Sequence, residues 1–203
     1  MHGYIIDGKG RHFAIFWLTV ISVLAGVGLT YGVDLIISKL EKIDGAQIII
    51  LLYSAVFSFG AGAIFAILYC LFDNILWKFK IFRNRDLSGK YKCDGISKDK
   101  TQKEKDCFTA TITIKQTWTK ISINLRTDKS HSDSFMAKIS ENGVGDIRLD
   151  YCYTNSTNQT NKDMVSMHTG TASIIFSSEI KGKYYNQPDD RMRYGELVLT
   201  KEG

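Results

Sequence analysis

Residues 107–118 read CFTATITIKQTW, and this stretch decides the fold. Phe108, Ala110, Ile112, Ile114 and Trp118 fall on one side of it, with threonines and a lysine between them. A period of two is that of a strand with one face in a core and the other in water; on a helix the same residues would scatter around the axis. The alternation recurs in KISINLRT (120–127) through Ile121, Ile123 and Leu125, and in SFMAKIS (134–140) through Phe135, Ala137 and Ile139. DIRLDYCYT (146–154) repeats it through Ile147, Leu149, Tyr151 and Tyr153. With LSGKYKC (87–93), GTASIIF (170–176), EIKGKYY (179–185) and RYGELVLT (193–200), about eight strands fit between residues 86 and 203. Polar loops separate them: SKDKTQKEKD (97–106), TDKSHSD (127–133) and NSTNQTNKD (155–163). This spacing predicts an all-β domain over 86–203, an antiparallel eight-stranded β-barrel with room for packed side chains or one small ligand.

Upstream the period disappears. Residues 13–33, FAIFWLTVISVLAGVGLTYGV, carry no charge, and neither do residues 46–72, AQIIILLYSAVFSFGAGAIFAILYCLF. At about 1.5 Å per residue each is long enough to cross a hydrocarbon core of roughly 30 Å. The first run is too long for a signal-peptide core, and a second run follows it directly. Both are apolar on every face, which favours lipid over a buried soluble hairpin.

The expected layout is a cytoplasmic N-terminus (1–12), transmembrane helix 1 (13–37), a periplasmic connector (38–45), transmembrane helix 2 (46–72), a basic linker (73–85) and the barrel (86–203). Lys9 and Arg11 precede the first helix; Lys78, Lys80, Arg83 and Arg85 follow the second. The connector's Lys39 and Lys42 are offset by Asp34, Glu41 and Asp44. The positive-inside rule then places both termini in the cytoplasm of a two-pass inner-membrane protein. Trp17 and Trp77 suit interfacial anchoring, and Trp17 equally suits ordinary lipid-facing bulk.

Several chemistries find no support. Cys70, Cys93, Cys107 and Cys152 form no CxxC pair, and His2, His12, His131 and His168 are dispersed, so no metal site is expected. There is no phosphate-binding glycine loop, no GxSxG and no HExxH. Ser, His and Asp in SHSD (130–133) are loop neighbours rather than a triad. The chain is not expected to be an enzyme, and no cofactor is implied. NST at Asn155 and NQT at Asn158 match the glycosylation pattern, by chance if the domain is cytoplasmic. Over 86–203 there are 18 Lys and Arg against 16 Asp and Glu, a net of +2. Long nucleic acid needs a stronger basic excess. A ligand with one or two phosphates needs only a few well-placed cations.

The order of parts carries a resemblance. A two-helix hairpin and a basic step lead into DLSGKYKCDGIS (86–97), followed by TWTKISINLRT (117–127), HTGTASIIF (168–176) and KGKYYNQPDDRMRYGELVLTK (181–201). This resembles the CD-NTase-associated membrane effectors of bacterial CBASS antiphage defence, the class with two transmembrane segments and a minimal β-barrel. The resemblance implies a cyclic dinucleotide as activating ligand, made on infection by a partner nucleotidyltransferase. It also implies self-association, disruption of the inner membrane, and abortive infection.

Such a ligand presents two phosphates, two flat bases and polar base edges. Recognition calls for cations, aromatic faces and amide or hydroxyl groups. KYYNQPDDRMR (183–193) contains all three. Strand phase makes Tyr184 a better interior candidate than Tyr185, and places Arg193, and with it Arg191, with Leu197 and Leu199. Asn186, Tyr91 and Trp118 join the candidates, with His168, Thr169 and Thr171 from HTGTA. Gly170 suggests a bulge or bend there. In the helices, Gly28, Gly32, Gly60 and Gly62 form smooth patches suited to close packing, within one protomer or between protomers. Two other functions compete: a tethered lipocalin-like barrel for a hydrophobic molecule, and a non-binding scaffold. Inward-pointing arginines favour the nucleotide reading. Base identity, linkage and oligomer size are not encoded in any motif.

Overall fold

The computed structural model describes residues 1–6, 10–40, 60–79, 85–99, 105–157, 167–186 and 193–202. The chain divides into two compact units, one of Met1–Asp7 with Arg83–Gly203 and one of Gly8–Phe82.

The helical unit contains α1 (Gly10–Leu40), α2 (Gly60–Asn74) and a 3-10 turn at Leu76–Lys78. Within α1, residues 12–39 are apolar and long enough to cross a membrane. At about 1.5 Å per residue its 31 residues exceed the hydrocarbon thickness. Thr19, Ser22 and Thr30 return their hydroxyls to carbonyls four residues earlier, so these polar groups need no external partner. Residues 46–59 of the expected second span lie outside the described residues, as does the connector from 41 onward. α1 and α2 contact each other. A Cβ placed on Gly28, Gly32, Gly60 or Gly62 nevertheless meets nothing within 4 Å, so among the described residues these glycines do not form that contact. Trp77, in the 3-10 turn, is fully buried, with Lys78 Nζ 5.9 Å from its ring centroid.

The other unit begins with two short strands, β1 (His2–Gly3) and β2 (Ile5–Ile6). The alternating segments then supply β3 (Gly89–Asp99), β4 (Lys105–Gln116), β5 (Lys120–Arg126) and β6 (Ser130–Glu141). They continue as β7 (Ile147–Thr157), β8 (Met167–Phe176), β9 (Ile180–Asn186) and β10 (Arg193–Lys201). Each of β3 to β10 pairs antiparallel with its sequence neighbours, and β10 returns to β3 along Arg193–Asp99 through Lys201–Tyr91. The result is a closed antiparallel eight-stranded barrel, as the alternation predicts. Closure removes the exposed sheet edges.

Inward residues from every strand fill the middle. Cys93, Ile112, Leu149 and Ile174 are wholly inaccessible to solvent. Burial pushes the Cys93 thiol up to about 12, with Asp94 adding to the shift. Tight turns build one end. Asn142 Oδ1 accepts from the amides of Val144 and Asp146, and Gly145 takes φ +88°. Glycine reaches that left-handed backbone without strain.

Three expectations are corrected here. Phe135 does not share the inward face of Ala137 and Ile139; a bulge between Ser134 and Met136 turns it outward, 51% exposed. The SHSD residues open β6 rather than lying in a loop, and β7 runs through Thr157, so Asn155 is a strand residue. Gly170 marks no bulge either, because the β7–β8 register passes through it unbroken.

Candidate functional site

The barrel has two unlike ends. At one end the chain comes in through Leu87 and leaves after Lys201. At the other, β7, β8, β9 and β10 bring their ladder ends together. There Asn155 lies opposite His168, Tyr153 opposite Gly170, Gly170 opposite Asn186, and Asn186 opposite Arg193. All of these share the phase of the buried core. In an apolar barrel that phase should carry isoleucine or leucine. Here it carries Asn155, His168, Asn186 and Arg193 on four adjacent strands, with Tyr153, Gly170, Tyr184 and Gly195 one inward position deeper.

The side chains touch. Nδ2 of Asn155 and Nδ2 of Asn186 each lie 3.3 Å from His168 Nε2, so two amides from flanking strands converge on one imidazole. Asn186 Oδ1 is buried without a hydrogen-bond partner among the described residues. Leaving a buried acceptor unmatched costs about 1–3 kcal/mol. Tyr184 packs edge-on to Phe108, with centroids 6.1 Å apart at 74°. Burial raises its phenol; hydrogen bonding to Ser97 and the Arg193 charge pull it partly back. Tyr153 is raised more strongly by burial and by neighbouring Tyr184, with Asn186 opposing. Both hydroxyls stay protonated at neutral pH and can donate. No carboxylate forms an ion pair with Arg193 among the described residues.

Glycine makes the room. A Cβ on Gly170 would sit 2.5 Å from the Tyr153 phenol oxygen and 2.7 Å from the Tyr185 carbonyl. One on Gly195 would collide with the Ile96 carbonyl and the Tyr184 ring. The missing side chains let two tyrosine rings lie against the wall.

The sequence candidates separate on this geometry. Tyr184, Asn186, His168 and Arg193 come together. Tyr185 and Lys183 point outward, as their phase predicts. Arg191 lies outside the described residues. Thr169 and Thr171, on either side of Gly170, lie on the outer face and are exposed, because the period of two alternates them away from His168. Tyr91 and Trp118 are not with the others. Tyr91 pairs with Lys201, eight ladder steps from Arg193, roughly 27 Å at strand rise. It is 2% exposed, donates its hydroxyl to the Leu87 carbonyl at 2.8 Å and packs edge-on to Phe176. Trp118 is 1% exposed in the β4–β5 turn at that same far end. Both are core residues.

Tyr153, Asn155, Ser97 and Phe108 join the cluster without having been singled out as site residues. Each extends an inward phase that was already legible: Ile147, Leu149, Tyr151, Tyr153, then Asn155. Carrying the alternation two residues further would have found Asn155, which the glycosylation pattern disguised as loop.

The closed barrel thus gathers aromatic, amide and cationic side chains at one end. A family model for the Cap15 cyclic dinucleotide receptor domain matches residues 82–201. The chain belongs to that family. It is 31% identical over 217 aligned residues to CD-NTase-associated protein 15 of Yersinia aleksiciae, covering 98% of this chain and 97% of the relative. It is a CBASS effector carrying a cyclic dinucleotide receptor domain on an apolar N-terminal helix.

Proposed function

We propose that the polar end of the barrel is where the cyclic dinucleotide binds, and that binding drives the chains to associate and disrupt the inner membrane. One observation carries the placement: among the described residues, the inward positions of β7 to β10 gather Asn155, His168, Asn186 and Arg193 beside Tyr153 and Tyr184 at one end of the barrel. Arg193 offers a planar fork that matches phosphate oxygens. Tyr153 and Tyr184 supply ring faces and neutral hydroxyl donors; Asn155, Asn186 and His168 supply donors and acceptors for base edges. The partner nucleotidyltransferase is met only through its product. The chain crosses the membrane twice in this reading, with both termini in the cytoplasm where the ligand is made. The charges at Lys9, Arg11, Lys78, Lys80, Arg83 and Arg85 support that topology. The receptor role needs no catalytic group and no cofactor. A packed aliphatic midsection speaks against a carrier of large hydrophobic molecules.

Calorimetric titration of the detergent-solubilised full chain with a panel of cyclic dinucleotides tests the reading. At least one member should bind saturably, and substitutions at Arg193 and Asn186 should weaken it. A folded protein silent across the panel refutes the site.

A further inference from the structure

β5 and β6 pair over only three residues, Asn124–Arg126 with Asp133–His131, and then separate at the bulge. Toward the far end of the barrel a seam is therefore open between them. The first residues of the chain fill it. His2 and Gly3 pair antiparallel with Ile121 and Lys120 of β5; Ile5 and Ile6 pair in parallel with Lys138 and Ile139 of β6. Where the strands part, Ser134 Oγ accepts from the Ile123 amide at 2.9 Å and lies 2.8 Å from His2 Nε2, replacing the lost ladder bond.

The contacts have the grammar of a bound extended peptide. Backbone bonds run along both edges, and alternate side chains enter the core. Tyr4 is 4% exposed and belongs to the core cluster, with Ile6 packed against it. The Tyr4 hydroxyl donates to the Thr117 carbonyl at 3.1 Å and accepts from Gln116 Nε2 at 2.9 Å. The same glutamine, 6% exposed, accepts from the Leu87 amide at 2.9 Å and donates to the Arg85 carbonyl at 3.3 Å. Gln116 thus ties the segment just before the first apolar helix to the segment that begins the barrel.

We propose that the β5–β6 seam is a strand-accepting peptide site, and that its ligand is the chain's own first six residues, docked in cis. The receptor-domain match starts at residue 82, so this piece of the barrel lies outside the domain as the family defines it. Without it, Lys120, Ile121, Lys138 and Ile139 lose backbone partners and Ile121 and Ile139 lose cover. Such an edge invites another strand. The inference stands on the seam alone and is independent of where the nucleotide binds.

Two experiments on the full chain test it. In the first, residues 2–6 are deleted, and a synthetic peptide of residues 1–9 with a dye on Lys9 is followed by fluorescence anisotropy. The deletion variant should bind it saturably, at least tenfold more weakly after Tyr4→Ala in the peptide, and the intact chain should not bind. No saturable binding up to millimolar peptide by a folded deletion variant overturns the proposal, as does equal binding by the intact chain. In the second, Gly3→Cys and Lys120→Cys are combined in a chain whose native cysteines are replaced. Residues directly opposite on antiparallel strands suit a disulfide. Oxidation should give an intramolecular link seen as a gel shift. No link, or a linked dimer, overturns docking in cis even if the deletion variant fails to fold.

Discussion

Asn186 and Arg193 lie directly opposite each other on β9 and β10, both in the inward phase, at the end of the barrel away from Tyr91. An amide with a buried, unmatched oxygen thus stands beside a guanidinium with no carboxylate partner among the described residues. Both residues are half-buried, and leaving polar groups unmatched there is unfavourable.

Arg193→Ala should weaken cyclic dinucleotide binding about ten- to hundredfold, the loss of a charged hydrogen bond worth about 1.5–3 kcal/mol. Lys183→Ala should change it little, because Lys183 is exposed on the outer face. Calorimetry on both variants of the full chain decides. Equal losses would mean that inward phase does not select the phosphate contact.

Gly195→Ala should lower barrel stability by about 1–3 kcal/mol, the usual cost of overpacking. The added carbon meets the Ile96 carbonyl, which cannot swing away, as well as the Tyr184 ring. The urea midpoint, followed by near-ultraviolet circular dichroism, reports it. An unchanged midpoint would show that β10 shifts freely at this point.

Alkaline pH should destabilise the barrel. The folded Cys93 thiol sits at about 12 against 9.0 as the ordinary value, and Tyr91, Tyr151, Tyr153 and Tyr184 are raised above 10.0. Each group holds its proton more tightly folded than unfolded. Stability is therefore full below pH 9 and lost as pH rises toward the folded values. Urea midpoints at pH 8, 9.5 and 11 should fall in order, less steeply for Cys93→Ala. A flat series contradicts the burial of these groups.

Replacing Gly28 and Gly32 with leucine should abolish killing and leave nucleotide binding intact. Both glycines are exposed and open among the described residues, which leaves them available for contact between chains. Dye entry into cells expressing the variant with its nucleotidyltransferase is the readout. Full permeabilisation would remove these glycines from the assembly step.

The local chemistry of this protein is written in its sequence. Strand alternation is a nearest-neighbour property, set by which side of a pleat each residue occupies. For that reason CFTATITIKQTW announces a strand, the phase of Leu197 and Leu199 places Arg193 inside, and that of Ile180 and Gly182 places Tyr184 inside. The length of the apolar run at 13–33 likewise fixes a helix able to span lipid. Relations between distant segments required the tertiary structure. Which end of the barrel an inward residue occupies depends on ladder register, and this moved Tyr91 and Trp118 away from Arg193 while bringing in Asn155. The bulge at Ser134 reversed Phe135, because a single extra residue inverts every face beyond it. Nothing in MHGYII distinguishes a free terminus from a strand. Only the gap between β5 and β6, formed once the barrel closes, gives those six residues backbone partners and a place in the core.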